Sequence, residues 1–441
     1  RRSARPLRLV QGRRNIGQKI GQECLKAYIS YWFKILYDHR RSARMPLESP
    51  SRIEPARLES ASEAVNDAVA ELAAASAALG SRLHPHTAAN LAASVRIMNS
   101  YYSNLIEGHN TKPRDIERAL AGDFDADDKR RNLQYEAAAH VRVQAEIDAQ
   151  AVAGTLPEPA CCEFVRQLHR EFYRDAADEL LRVRGVSREI VMQAGEWRSE
   201  PGHDVAVGRH VPPSSSAVAS FMAYFEERYS LASLGKGTRV LAIPAAHHRF
   251  NYIHPFPDGN GRVSRLMSHA MAHHAGIGAH GLWSVSRGLA RGLASRGEYK
   301  SMMDLADTPR QGDLDGRGNL SQRALEEFTL WFLRVCIDQV IFMSEMFDLN
   351  SLGERYQRFV ARQESLKPES ANLLVEALVR GEFERGEAAR ITGLPERTAR
   401  RVLNEIVEQG LLGSRTPKGA VSLRFPADIV DELFPKLYPV S

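Results

Sequence analysis

Apolar residues recur at helical spacing along most of the chain. The pattern is clearest over residues 85–111, where the apolar positions lie three or four residues apart and Gly108 stands where a helix cap belongs. These positions are Leu91, Val95, Met98, Tyr102, Leu105 and Ile106. Other helical patterns cover residues 55–80, 130–150, 160–180 and 214–350. The chain is therefore predicted to be mainly α-helical.

The period changes in two places. Residues 195–213, "GEWRSEPGHDVAVGRHVPP", carry a turn-like "SEPG" and an alternating "DVAVG", which predict a short β-hairpin. After residue 366 three short helical patterns follow one another, and "LLGSRTPKGAVSLRFP" then predicts two strands around "TPKG". Three helices followed by a hairpin are typical of a winged helix-turn-helix, here over residues 366–441.

Charge and cysteine content narrow the function classes. The chain of 441 residues has a net charge of +5, but residues 1–44 alone carry +10, which leaves −5 for residues 45–441. Residues 45–441 are therefore mildly acidic, which excludes a protein that binds nucleic acid through a uniformly basic surface. Residues 1–44 begin without Met and are interpreted as a basic extension that is not part of the native fold. The alternative is a basic arm that binds a membrane or nucleic acid. Four cysteines without metal or disulfide spacing, and no membrane-spanning pattern, favour the cytoplasm.

The densest chemistry lies in "IHPFPDGNGRVSRL", residues 253–266. Gly259 and Gly261 allow backbone N–H groups to surround an anion at the start of a helix. Arg262 and Arg265 lie one turn apart on that helix, where both can bind phosphate oxygens. Asp258 precedes the two glycines and can act as a metal ligand. His254, four residues before Asp258, can act as a base. The stretch therefore predicts a nucleotide polyphosphate site.

The same stretch resembles the Fic-domain motif His-x-Phe-x-Asp/Glu-Gly-Asn-Gly-Arg-x-x-Arg at every fixed position. Residues 195–208 resemble the flap hairpin of that family, and the similarity covers roughly residues 85–345. The resemblance implies a Fic-type helical core with a β-hairpin flap. It also implies transfer of AMP from ATP to a Ser, Thr or Tyr hydroxyl of a protein, releasing pyrophosphate, with Mg²⁺ as cofactor.

The resemblance assigns roles by motif position. His254 would be the base, Asp258 the Mg²⁺ ligand, and Phe256 would pack the loop into the core. The expected ATP-binding residues are Gly259, Asn260, Gly261, Arg262, Val263, Ser264, Arg265 and, in the later segment "EYKSMM", Tyr299.

A second stretch, "SNLIEGHN", fits the family's inhibitory motif Ser/Thr-x-x-x-Glu-Gly/Asn. Ser103, Glu107 and Gly108 hold its fixed positions. The resemblance implies that Glu107 pairs with Arg265 and takes the place of the γ-phosphate. A capped helix end is the alternative interpretation.

The sequence predicts four parts along the chain. Its parts are the extension over 1–44, a helical region with the inhibitory helix over 45–150, a catalytic core over 151–350 and the winged helix over 366–441. The expected partner is a target protein docked on residues 195–208, with self-modification and a homodimer as further expectations. For the winged helix, protein docking is favoured over DNA binding.

His269 and His273, four residues apart, are not expected to bind metal because no Glu lies between them in a His-Glu-x-x-His pattern.

Two alternative functions remain open. The site could remove AMP or transfer another phosphate-linked group. The chain could also be a transcription regulator that senses nucleotide through its core and binds DNA through residues 366–441.

Overall fold

The computed structural model describes residues 48–184, 189–435 and 437. The basic extension over residues 1–44 lies outside the described residues. From residue 49 onward, the described residues belong to a single compact unit.

Helices make up most of the described chain, as the hydrophobic period predicts. In chain order they are α1 (Glu63–Ser81), α2 (Pro85–Ile106), α3 (Pro113–Leu120), α4 (Asp128–Ala153), α5 (Cys162–Phe172), α6 (Val218–Tyr229), α7 (Lys236–Ile253), α8 (Asn260–His274), α9 (Val285–Arg291), α10 (Glu298–Ala306), α11 (Gln322–Met346), α12 (Leu349–Arg362), α13 (Ser370–Arg380), α14 (Ala388–Thr392), α15 (Glu396–Glu408) and α16 (Ala427–Leu433). Among them, none combines the length and the apolar character needed to cross a bilayer.

Helix α2 ends where its sequence pattern predicts. Gly108 follows the helix at φ 89°, a left-handed conformation that favours glycine. The His109 N–H then donates to the Asn104 carbonyl at 2.9 Å and the Gly108 N–H to the Leu105 carbonyl at 3.1 Å. These two bonds satisfy carbonyls of the last turn and form a Schellman cap. The cap fixes Glu107 at the very end of α2.

The centre of the fold is the antiparallel pair α7 and α8. Helix α7 is buried along its length from Val240 to Ile253 and tolerates Pro244 in its interior. Helix α8 buries all but a few of its side chains against α7, α4 and α5. Helices with so little polar exposure belong in a core, and the loop between these two carries the motif of residues 254–259.

The predicted hairpin over 195–213 is reduced to a tight turn. All of these residues are described, and they contain no strand; a single antiparallel bridge joins Val207 to His210 around Gly208, which has φ 60°. Pro201 lacks an N–H and lies in a 3₁₀ turn, which interrupts strand pairing in the first half of the predicted hairpin. A two-stranded sheet that the sequence did not predict lies just before, with β1 (Arg182–Arg184) antiparallel to β2 (Glu189–Val191).

Near the C-terminus, α13, α14 and α15 pack together with a three-stranded antiparallel sheet. Its strands are β3 (Glu382–Phe383), β4 (Leu412–Ser414) and β5 (Val421–Leu423), in the order β3-β5-β4. The helices and the hairpin around "TPKG" follow the sequence pattern, whereas β3 was not anticipated. Whether this module acts as a winged helix stays a prediction.

The C-terminal module packs along α2. The Thr87 hydroxyl donates to the Leu378 carbonyl at 2.9 Å, and the Arg424 guanidinium donates to the Asn90 side chain at 3.2 Å. Near the other end of α2, the Tyr102 hydroxyl donates to the carbonyl of Leu437 at 3.2 Å. The helix that carries Glu107 is therefore held on one side by residues more than 270 positions later in the chain.

Gly288 tests the packing of α9 against α11. A Cβ atom there would lie 2.5 Å from Val335 Cγ1 and 2.9 Å from Gln339 Cγ, and the branched valine has little freedom to move. We expect Gly288→Ala to lower the free energy of unfolding by about 1–3 kcal/mol. Gly237→Ala is the matched control, because no atom lies within 4 Å of its added Cβ. Urea unfolding of both variants checks this, and equal stability would contradict the packing argument.

Candidate active site

His254 stands at the junction between α7 and the motif loop. Its backbone has φ 51°, and its N–H closes the helix by donating to the Phe250 carbonyl at 2.9 Å. A left-handed conformation is uncommon for a residue with a side chain and turns the chain sharply out of α7. The ring is half-buried, and Nδ1 has no hydrogen-bond partner.

Arg198 fixes the turn at His254. Its guanidinium, 1% exposed, donates to the His254 carbonyl at 2.7 Å and to the Ile253 carbonyl at 3.1 Å. The same group donates to the Pro213 carbonyl and to Ser215 Oγ, so it joins the turn to the end of residues 195–213. The sequence analysis missed this residue, although the "GEWR" stretch contained it. Arg198 therefore positions the turn that carries His254.

The imidazole of His254 is held in its neutral form. Burial lowers its pKa to about 4, and the positive charge of Arg198 acts in the same direction. At pH 7 the ring can therefore accept a proton.

Asp258 and Gly259 shape the start of α8. Asp258 is exposed, and its carboxylate lies 3.5 Å from the Tyr173 hydroxyl, which leaves oxygen atoms free for a cation. Gly259 has φ 79°, and a Cβ there would lie 2.8 Å from the Tyr173 ring. Only glycine fits, and the first N–H groups of α8 remain free for an anion.

Asn260 serves the loop itself. Its side-chain oxygen accepts from the Phe256 N–H at 2.9 Å, and its amide nitrogen donates to the Phe256 carbonyl at 2.8 Å. Phe256 is fully buried and stacks on His169 with ring centres 3.8 Å apart. The Asn260 side chain thus closes the loop, and its expected contact with ATP stays a prediction.

Val263 and Ser264 do not line the site with their side chains. Val263 is fully buried in the core, and its N–H donates to the Gly259 carbonyl. Ser264 is also fully buried, and its hydroxyl donates to the Gly261 carbonyl at 2.8 Å. The helical period turns both side chains away from the face of Arg262 and Arg265, and nucleotide contacts of these two residues stay a prediction.

Arg265 is paired with the end of α2. Its guanidinium is 1% exposed and donates to Glu107 Oε1 at 2.6 Å. It also donates to Ser103 Oγ at 2.9 Å and to the Ser103 carbonyl at 3.3 Å. The pair expected from the "SNLIEG" stretch is present in the structure.

Arg262 has its own carboxylate partner, which the sequence analysis missed. Glu136 of α4 accepts from the Arg262 guanidinium at 2.9 Å, and both side chains are about 5% exposed. Tyr173 and His109 also approach this guanidinium, at 3.4 and 3.5 Å. A glutamate on a helical face gives no sequence signal that distinguishes it from a solvated one. Both arginines of the phosphate site are therefore neutralised by carboxylates.

Tyr299 lies deeper than expected. It is 8% exposed, and its hydroxyl lies 2.8 Å from His247 Nε2. Burial raises its pKa to about 12. Tyr299 is therefore a buried residue that lies close to Arg265 and has little surface open to solvent.

The ionisation of Glu107 follows from its surroundings. Burial raises the pKa of this carboxyl, but the charges of Arg265 and Arg262 outweigh burial and leave the pKa below its ordinary value. Glu107 is thus an anion at neutral pH and forms a charge-assisted bond with Arg265.

The sequence model of the Fic/DOC family matches residues 159–272, which include His254, Asp258 and both arginines. The chain carries a Fic domain. Helices α5 to α8 form most of this Fic domain, and Glu107 and Glu136 reach it from α2 and α4, which lie before it in the chain.

The curated relatives match a short part of the chain. The chain is 35% identical over 85 residues to the protein adenylyltransferase Fic of Drosophila erecta, which is 19% of this chain and 17% of that protein. The protein of the same name from Aedes aegypti is also 35% identical over 85 residues, or 16% of its length. The matched segment is thus about a sixth of these relatives.

Two solved structures align with the chain at low sequence identity. A Fic family protein of Desulfovibrio desulfuricans G20 aligns with a TM-score of 0.48 and 16% identity over 84% of this chain and 99% of its own. A Fic-domain signalling protein of Bacteroides thetaiotaomicron aligns with a TM-score of 0.45 and 19% identity, over 63% of this chain and 95% of its own.

The ion pair at Arg265 gives a pH-dependent contribution to stability. We expect Glu107→Gln to lower the free energy of unfolding by about 1 kcal/mol at pH 7, because Glu107 is one-third exposed. A carboxyl with a depressed pKa stabilises the fold above its unfolded pKa of about 4.3, and this contribution is lost as the pH falls through the folded pKa.

The difference between wild type and Glu107→Gln should therefore be full at pH 7 and smaller at pH 3.5, as measured by urea unfolding. The exposed Glu71 provides the control, and Glu71→Gln should show no difference at either pH. A difference that stays constant down to pH 3.5 would contradict the ion-pair account.

Proposed function

We propose that this protein transfers AMP from ATP to a hydroxyl group of a Ser, Thr or Tyr side chain on a protein, releasing pyrophosphate. The observation that carries the proposal is the convergence of a neutral histidine, an exposed carboxylate and two arginines at the N-terminus of α8. The similarity of this segment to proteins named adenylyltransferase supports the choice of AMP.

In the proposed reaction, His254 accepts the proton of the incoming hydroxyl. The hydroxyl oxygen forms a bond with the α-phosphorus of ATP while the bond from that phosphorus to the bridging oxygen of pyrophosphate breaks. The free N–H groups at the start of α8 bind the phosphate oxygens, assisted by the positive end of the helix. Arg265 supplies charge to the outer phosphates once it is released from Glu107, and Arg262 assists it while still paired with Glu136.

Asp258 fits the proposed Mg²⁺ site. Its carboxylate is exposed, and the residue precedes the start of α8 by two positions. One carboxylate, water and phosphate oxygens make a suitable set of ligands for this ion, which when bound would reduce the negative charge on the polyphosphate.

We further propose that Glu107 keeps the enzyme inactive. With its carboxylate on Arg265, the position that a γ-phosphate needs is already occupied by negative charge. Glu136 acts on Arg262 in the same way, but it is almost fully buried and comes from the middle of α4. Glu107, at the end of a helix and partly exposed, is the carboxylate that can move away.

The inhibition is tested with labelled ATP and four purified proteins at equal concentration. Glu107→Gly should raise incorporation of AMP into the protein itself and into lysate proteins, because Arg265 becomes free for phosphate. Glu107→Gln should give partial release, since the amide keeps the shape but loses the charge. The double variant Glu107→Gly, Arg265→Ala should return to low activity. Equal incorporation by wild type and Glu107→Gly would refute the inhibitory role of Glu107.

The base is tested in the released background. Adding His254→Ala to Glu107→Gly should lower transfer about 10²–10⁴-fold and leave ATP affinity nearly unchanged, because the imidazole acts on the hydroxyl and not on the phosphates. With a pKa of about 4, the imidazole stays a base at neutral pH. The rate for Glu107→Gly should therefore be flat between pH 6 and 8 and fall only in acid. Unchanged transfer by the double variant would contradict the assignment.

The target is proposed to dock beside the turn at Val207–His210. Val207 is 42% exposed there, and an extended peptide could pair with the free edge next to it.

For the C-terminal module, α15 presents Arg397, Arg400 and Arg401 to solvent, but Glu405 lies 3.7 Å from Arg401 and reduces the positive field. Protein docking is accordingly favoured over DNA binding.

A further inference from the structure

Three potential metal ligands meet between α4 and α8, away from the motif loop. His269 Nε2 lies 2.7 Å from Asp148 Oδ1, and His273 Nε2 lies 3.1 Å from the same oxygen. The two imidazole nitrogens are 3.3 Å apart. The spacing of the histidines along α8 puts both rings on one face, and α4 brings the carboxylate that no sequence pattern connected to them.

The distances fit a common coordination sphere. A metal ion bound at about 2.0–2.2 Å by imidazole nitrogen and carboxylate oxygen holds neighbouring ligand atoms about 2.8–3.1 Å apart in octahedral geometry and about 3.3–3.6 Å apart in tetrahedral geometry. The three atoms of the cluster are separated by 2.7 to 3.3 Å, so small movements of the side chains bring all three to bonding distance of one ion. Each side chain is at most 10% exposed, which protects the cluster from bulk water.

Neighbouring groups hold the ligands in place. The Arg96 guanidinium of α2 donates to Asp148 Oδ2 at 2.8 Å, which leaves Oδ1 for the imidazoles. Gly278 and Gly281 make room: a Cβ at Gly278 would lie 2.4 Å from His273 Nδ1, and one at Gly281 would lie 3.0 Å from Asp148 Oδ2. Orientation of ligands by a second layer of groups is a regular feature of metal centres. Burial lowers the pKa of His273, so that its ring is neutral at pH 7, the form that binds metal.

We propose that Asp148, His269 and His273 bind one divalent transition-metal ion, with solvent completing its coordination. Two imidazoles and one carboxylate are the ligand set of Zn²⁺ and of related ions such as Co²⁺, and they are unlike the oxygen set that Mg²⁺ requires. The ion replaces the hydrogen bonds that now join the two Nε2 atoms to Oδ1.

The position of the site gives the metal a structural task. His269 follows Arg265 by one turn of α8, and Asp148 shares α4 with Glu136. Between them on α4, both ring nitrogens of the fully buried His140 lack a partner in the part of the chain that the structure describes. A metal would tie α8 to α4 beside this weakly bonded stretch and, through Arg96, to α2. It would thereby stabilise the helices that carry Arg265, Glu136 and Glu107.

The experiment uses the full chain without a histidine tag, treated with chelator and then kept in excess Mg²⁺ to occupy Asp258. Titration with Zn²⁺ should reach one equivalent per chain and raise Tm, because an ion that binds the folded state stabilises it. Titration with Co²⁺ should give visible ligand-field absorption with the same stoichiometry. His273→Ala and Asp148→Asn should lower the affinity for both ions more than about 100-fold, and Arg96→Ala about 10-fold.

His274→Ala is the matched control. This ring is adjacent in sequence but contacts the Leu156 carbonyl instead, at 3.1 Å, so its loss should leave the affinity for Zn²⁺ and Co²⁺ unchanged. The wild-type titrations stand without any variant and decide the question if a variant fails to fold. Absence of Co²⁺ absorption and of tight Zn²⁺ binding in wild type would overturn the proposal. Equal loss of affinity in His274→Ala and His273→Ala would overturn it as well.

Discussion

The structure around the motif depends on two buried positive charges that need counter-charges. Arg262 and Arg265 are at most 4% exposed, and a guanidinium cannot shed its proton to escape burial. Each therefore requires an anion, which in this state is a carboxylate of the protein itself. ATP can supply the same charge through its phosphates. Under the proposed function, the Glu107 carboxylate and a nucleotide phosphate are alternative partners of Arg265.

The two carboxylates differ in how easily they can leave. Glu136 lies within α4, is 6% exposed, and could be removed from Arg262 only by shifting a helix of 26 residues. Glu107 follows the last residue of α2 and is followed by a glycine, so a change of a few backbone angles would move it. The C-terminal module contacts α2 at Thr87, Asn90 and Tyr102. The helix that ends at Glu107 is thus in contact with residues that follow the Fic domain in the chain by more than 100 positions.

The base is positioned by a cation as well. Arg198 donates two hydrogen bonds to the turn that presents His254 and two to Pro213 and Ser215, and its charge helps to keep the imidazole neutral. One buried residue thus serves both the shape of the loop and the protonation state of the base. The segment 195–213, where a hairpin was expected, consequently anchors the loop at its ends and keeps only one bridge at its turn.

The sequence by itself determined what local rules can fix. The helical period located α2 and α8, Gly108 and Gly259 marked their ends, and the motif named His254, Asp258, Arg262 and Arg265, because caps, anion nests and helix faces depend on residues a few positions apart. Only the tertiary structure decided which side chains face those residues. The pairing of Glu136 with Arg262, the anchoring by Arg198 and the meeting of Asp148 with two histidines join positions 56 to 126 apart. It also reduced the predicted hairpin to one bridge, since strand pairing is set by neighbours in space.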